Sequence, residues 1–109
     1  MTRRQLQKRA RDIIGLHLAM CGLSWKCLRI FVREGLSTDR GACWAAVRVL
    51  RGATFTLYLD SELLNGEGPP LDSLIGHEVG HIVLNGCQLK YGAEERACDV
   101  IGRILARTK

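Results

Sequence analysis

His77-Glu78-Val79-Gly80-His81 sets two imidazoles four residues apart, with a carboxylate directly after the first. On an α-helix, residues i and i+4 share one face about a turn apart, so both rings can reach one metal ion. Glu78 between them is placed to take a proton from a water at that ion rather than to ligate it. The arrangement requires a helix, and the flanking residues predict one from about 71 or 72 to 84. Leu74, Ile75, Val79, Ile82 and Val83 supply its apolar residues. Asn65-Gly66-Glu67-Gly68-Pro69-Pro70 breaks the chain before it, and Asn85-Gly86 ends it.

A catalytic site of this kind takes a third protein ligand, and no histidine follows His81. The acidic candidates are Glu94, Glu95 and Asp99, on a last helix predicted from about 92 or 93 to 106. Its apolar set is Ala93, Ala97, Val100, Ile101, Ile104 and Leu105. At ~100° per residue, with Ala97 at zero, Ile101 falls near ~40° and Ile104 near ~340°. Glu94 then falls near ~60°, beside the stripe, whereas Glu95 (~160°) and Asp99 (~200°) point to the far side. A carboxylate tucked against the core needs a partner, and a metal held by His77 and His81 would supply one. The expected set is therefore His77, His81 and Glu94 around Zn²⁺, with Glu78 as the catalytic base. Glu95 and then Asp99 remain alternatives, and the plainer reading of Glu94 is an acid in the first turn that favours the helix macrodipole.

The elements that position these residues can be read from the pattern of apolar side chains. Leu6, Ala10, Ile13, Ile14, His17 and Met20/Cys21 lie at helical spacing over about 3 to 20, and Gly22 is a plausible stop. His17 falls on the apolar stripe and reads as a core histidine rather than a ligand. Trp25 to Val32, Cys43 to Leu50 and Ala53 to Leu59 are strand-like. The last two flank Arg51-Gly52 and read as a β-hairpin; the residues from Gly35 to Gly41 read as a loop. The strand at 54 to 59 is a candidate edge for pairing with an extended peptide; Tyr91 or His17 could add an oxyanion donor, although Tyr91 reads first as a boundary residue. The fold class is α+β: an N-terminal helix, a three-stranded and mostly antiparallel sheet, the helix of the two histidines, and a ligand-bearing C-terminal helix. With 109 residues it makes one domain, 1–109.

Hydrophobic residues make up 47% and charged residues 25%, which excludes a wholly disordered chain. No apolar run approaches the ~18 to 20 residues that span a bilayer, so no membrane is expected as a partner. The five cysteines are odd in number and include no CxxC pair. With no signal-like N-terminus they read as reduced thiols in a cytoplasm. Of the net charge of +5, residues 1 to 20 carry +4, from Arg3, Arg4, Lys8, Arg9 and Arg11 against Asp12. That helix could attract nucleic acid, but it reads first as a solvated face. No second basic stripe and no interleaved aromatics are visible along the chain.

Residues 73–84, Ser73-Leu74-Ile75-Gly76-His77-Glu78-Val79-Gly80-His81-Ile82-Val83-Leu84, resemble the zinc helix of the ImmA/IrrE-type metallopeptidases. Glu94 and Ala97 resemble a ligand Glu and the Ala three residues later on that family's next helix, and Thr54 to Leu64 resembles the preceding strand and loop. Cys98 and Val100 depart from it: the family usually has Asn or Asp, and then an aromatic, at those places. The resemblance spans about residues 53 to 105. It implies a small zincin-like fold and a zinc-dependent peptidase acting on a protein or peptide substrate; a transcriptional regulator is the substrate, and a minimal phage-borne member the setting, that the resemblance suggests. The alternative is a non-catalytic protein that keeps the fold and acts by binding. The substrate and the oligomeric state are left open.

Overall fold

The computed structural model describes residues 1–107. Three helices, α1 (Arg3–Met20), α2 (Leu71–Val83) and α3 (Tyr91–Arg107), accompany five strands: β1 (Lys26–Arg33), β2 (Ser37–Thr38), β3 (Gly41–Ala42), β4 (Ala45–Leu50) and β5 (Thr54–Asp60). The architecture is α+β, as the sequence predicts. A short 3-10 turn (Ser61–Asn65) leads from β5 towards α2.

The main sheet has the order β1-β5-β4, with β1 parallel and β4 antiparallel to β5. β2 and β3 form a separate antiparallel hairpin inside the stretch read as a loop, so two of the three ladders are antiparallel. Two-residue strands are too short to leave an alternating pattern in sequence. The predicted β4–β5 hairpin is present and turns through Gly52 and Ala53, both at positive φ. β5 is the central strand and not an edge: Phe55, Leu57 and Leu59 are buried, and both neighbours pair with it.

Both helices that face the sheet pack on one side of it. Leu6, Ala10, Ile13, Ile14 and Leu18 of α1 join Ile75, Val79 and Ile82 of α2 in the core, over Ile30, Val32, Phe55, Leu57 and Leu59. Thr2 caps α1, accepting from the Gln5 backbone amide while Gln5 reaches back to the Thr2 amide. His17 is buried, and its Nε2 lies 3.0 Å from the Asp72 carbonyl, tying α1 to the start of α2. The core reading of His17 therefore stands.

The two edges of the sheet are treated differently. Arg3, Gln7 and Arg11 stand four residues apart on α1. They donate to the carbonyls of Val32 (2.7 Å), Ile30 (2.9 Å) and Cys27 (3.0 Å) along β1. This closes an edge that would otherwise offer unpaired backbone groups to another strand. Two of the basic residues of α1 are thus occupied by the sheet. The other edge, β4, borders a cavity of about 850 Å³ that also holds the two histidines of α2.

Candidate metal centre

α2 carries His77 and His81 on the face turned to α3, with ring centroids 5.1 Å apart. α3 approaches closely because small residues meet at the crossing. A Cβ on Gly76 would lie 2.8 Å from the Gly102 Cα, and one on Gly80 would lie 3.0 Å from the Cys98 Cα. Gly76-xxx-Gly80 and Cys98-xxx-Gly102 thus form two matching small-residue stripes. Their spacing is the sequence signal that sets the register of α3, and the apolar wheel does not use it.

The buried residues of α3 are Cys98, Gly102 and Leu105, while Val100 and Ile104 are about half exposed. The stripe chosen from hydrophobicity is therefore split: Leu105 and Ile101 reach the core, whereas Val100 and Ile104 turn outward. With Cys98 at zero, Glu94 falls near ~320°, Glu95 near ~60° and Asp99 near ~100°, so all three acids flank the contact face. The expectation that Glu95 and Asp99 point to the far side is corrected.

Each histidine is held from both sides. Asp99 Oδ1 lies 2.7 Å from His77 Nδ1, and Glu94 Oε2 lies 2.6 Å from His81 Nδ1. Glu95 spans the opposite ring nitrogens, with Oε2 2.8 Å from His77 Nε2 and Oε1 3.1 Å from His81 Nε2. Glu78 Oε2 lies 3.9 Å from the same His77 Nε2. Glu94, the ligand expected from sequence, thus faces the rear nitrogen of His81, while Glu95 faces the front of both rings.

Among the described residues, every ion pair of these four carboxylates is to one of the two histidines. When the rear nitrogens donate to Asp99 and Glu94, neutral imidazoles turn lone pairs toward the Glu95 oxygens. Contacts near 3 Å there require a positive charge between them, either protons or a cation. The donor set of two imidazoles and a cluster of carboxylates suits a divalent metal.

Burial pushes the Glu78 carboxyl up to about 8, and the Glu95 charge adds to the rise. Cys98 is fully buried against Gly80, and its sulfur and one nitrogen of each histidine all lie within 4.8 Å of one another, so His77, His81 and Cys98 could hold a metal ion, a role the sequence does not suggest. Burial, and then Glu94, Glu95, Glu78 and Asp99, push its thiol up to about 12. The sulfur is thus a neutral thiol unless a cation displaces its proton.

The cavity runs between β4 (Ala45, Ala46, Val47, Val49) and the histidines. Tyr91 lines it, with the Arg40 guanidinium 4.0 Å above its ring. His17 faces Asp72 instead and is no oxyanion donor here. No protein-family model, no curated protein and no solved structure matches this chain.

Proposed function

We propose that the chain is a zinc-dependent peptidase of zincin-like fold, with His77, His81 and Glu95 as the metal ligands and Glu78 as the general base. The observation that carries this reading is the convergence of both Nε2 atoms on one carboxylate while both Nδ1 atoms are held by others. Outer carboxylates that grip the rear of a ligating imidazole fix its tautomer and raise its basicity. Asp99 and Glu94 fill that role, and Glu94 moves from the expected ligand to a positioning residue.

A bound zinc would supply Lewis acidity and a neutral-pH nucleophile from water. The chain's own residues do the rest. In the metal-free chain Glu78, buried and raised to about 8, is mostly protonated at neutrality; the charge of a bound cation would favour its carboxylate, which can accept a proton from water and return it to the leaving amine. The unpaired edge of β4 can hold an extended peptide by strand addition across the cavity. This places β4 in the role expected of the strand at 54 to 59. A peptide held there passes in front of both histidines.

The resemblance to the ImmA/IrrE-type metallopeptidases supports the same reading, and a transcriptional regulator is the substrate it suggests. A second reading rests on Cys98. A thiolate added to the three ligands would close the site at four donors, which is the habit of structural zinc, and the protein would then act by binding alone. Incubating the zinc-supplemented protein with quenched fluorescent peptides, beside Glu78→Gln, separates the two. Peptidase action predicts cleavage that falls by at least ~10²-fold in the variant. Equal signals from both proteins would leave the binding reading.

A further inference from the structure

Both helices that pack on the main sheet lie on one side, and the opposite face is built from three strands whose registers bring distant residues together. Arg29, Thr56 and Arg48 form one row across it; Phe31, Tyr58 and Ala46 form the next. The Phe31 and Tyr58 rings stack, with centroids 5.3 Å apart and planes 20° from parallel. The Arg33 guanidinium lies 4.9 Å from the Phe31 centroid. The face continues into a groove of about 570 Å³ between β1 and α1, where Arg4, Lys8 and Arg11 join Arg29 and Phe31. Lys8 shares its charge with Asp12, at 3.7 Å.

Charge is segregated in this chain. Removing Glu78, Glu94, Glu95 and Asp99 from the formal count of +5 leaves +9 for everything outside the candidate metal centre. The interleaved aromatics and the second basic stripe, not visible along the sequence, are created by strand pairing.

We infer that this outer sheet face, with the α1 groove beside it, binds single-stranded nucleic acid. A row of arginines and a lysine tracks phosphates, while the Phe31–Tyr58 stack and the Arg33 plane offer flat surfaces to unpaired bases. A three-stranded face is only ~10 Å across, suited to one extended strand. An acidic peptide would use the cations but not the aromatic stack. A lipid surface would call for several large apolar side chains projecting at the rim; of the apolar residues lining the groove only Leu28 is half exposed, and the two rings are stacked on each other.

The test is fluorescence anisotropy of the full chain with labelled oligo(dT) and oligo(U) of about 12 nucleotides. A duplex of equal length and phosphatidylserine vesicles serve as comparisons. The expected result is saturable binding that prefers single strands and weakens with salt. Joint substitution Arg29→Gln, Arg33→Gln and Arg48→Gln lowers the salt slope by about 2. Phe31→Leu with Tyr58→Leu weakens binding roughly tenfold, and Glu78→Gln leaves it unchanged. Ultraviolet crosslinking of the wild type needs no variant and should place adducts on peptides covering 27–33 or 54–60. Absence of binding at low salt, equal affinity for duplex, preference for the vesicles, or crosslinks confined to the histidine cavity would each overturn the inference.

Discussion

At the scale of single residues, the four carboxylates around His77 and His81 have separable roles. Glu95 faces both front nitrogens, so Glu95→Gln should weaken zinc binding most, by about 100-fold or more. Glu94→Gln and Asp99→Asn remove only a rear contact and should cost about 10- to 100-fold each, measured by competition with a chromophoric chelator. Glu78 makes a prediction in pH. Its carboxyl rises from 4.5 to about 8 on folding, so the folded metal-free protein holds this proton more tightly than the unfolded chain does. Stability from this group is therefore greatest below pH 4.5 and is lost as pH climbs through 4.5 to about 8. The loss is on the order of a few kcal/mol. Urea unfolding of the metal-free protein at pH 5 and pH 8, set against Glu78→Gln, should show the decline in wild type and a flatter profile in the variant. His77, Glu78 and His81 are legible in the sequence because one helix fixes their geometry. The choice among Glu94, Glu95 and Asp99 is not, because it depends on the roll of a second helix about its axis.

At the scale of elements, that roll is set by backbone contact and not by apolar area. Of the apolar residues of α3, Val100 and Ile104 face outward while Ile101 and Leu105 reach the core, and Cys98 and Gly102 make the close approach. A Cβ on Gly102 would lie 2.8 Å from both the His77 amide nitrogen and the Ser73 carbonyl oxygen. Gly102→Ala should thus push α3 outward, costing about 1–3 kcal/mol in thermal or urea unfolding and lowering zinc affinity as well. The sheet offers a parallel case. The sequence marks β1, β4 and β5 as strands, but it cannot show that β1 pairs parallel to β5, because that pairing joins residues far apart in the chain. Assigning the edge depends on that pairing, which is why the strand at 54 to 59 reads as an edge although it is central. The arginines of α1 are equally opaque in sequence. Arg3 and Arg11 look like a solvated basic face, yet they cover the β1 edge. Arg3→Ala with Arg11→Ala should lower stability by on the order of 1 kcal/mol and raise self-association, read by sedimentation, as the edge opens.

At the scale of the whole molecule, the α+β order of helix, strands, helix and helix follows from apolar periodicity and turn residues, and the structure keeps it. A chain of this size buries only about two thirds of its unfolded surface, so a tightly held ion would weigh heavily in its stability. Zinc at 100 times its dissociation constant should add about 2.7 kcal/mol, and a chelator should remove it. Acid gathers on one side, around the cavity, while the rest of the chain carries the excess of positive charge. Among the described residues, no helix is long and apolar enough to cross a membrane. The proposed function requires two histidines of α2 and one carboxylate of α3 to close on one divalent cation. Zinc titration calorimetry, paired with elemental analysis of wild type and Glu95→Gln, tests it most directly. One tightly held zinc per wild-type chain, with none retained by the variant, is the predicted result. A wild type that takes up no stoichiometric metal when zinc is supplied, or a variant that holds it as firmly, would contradict it.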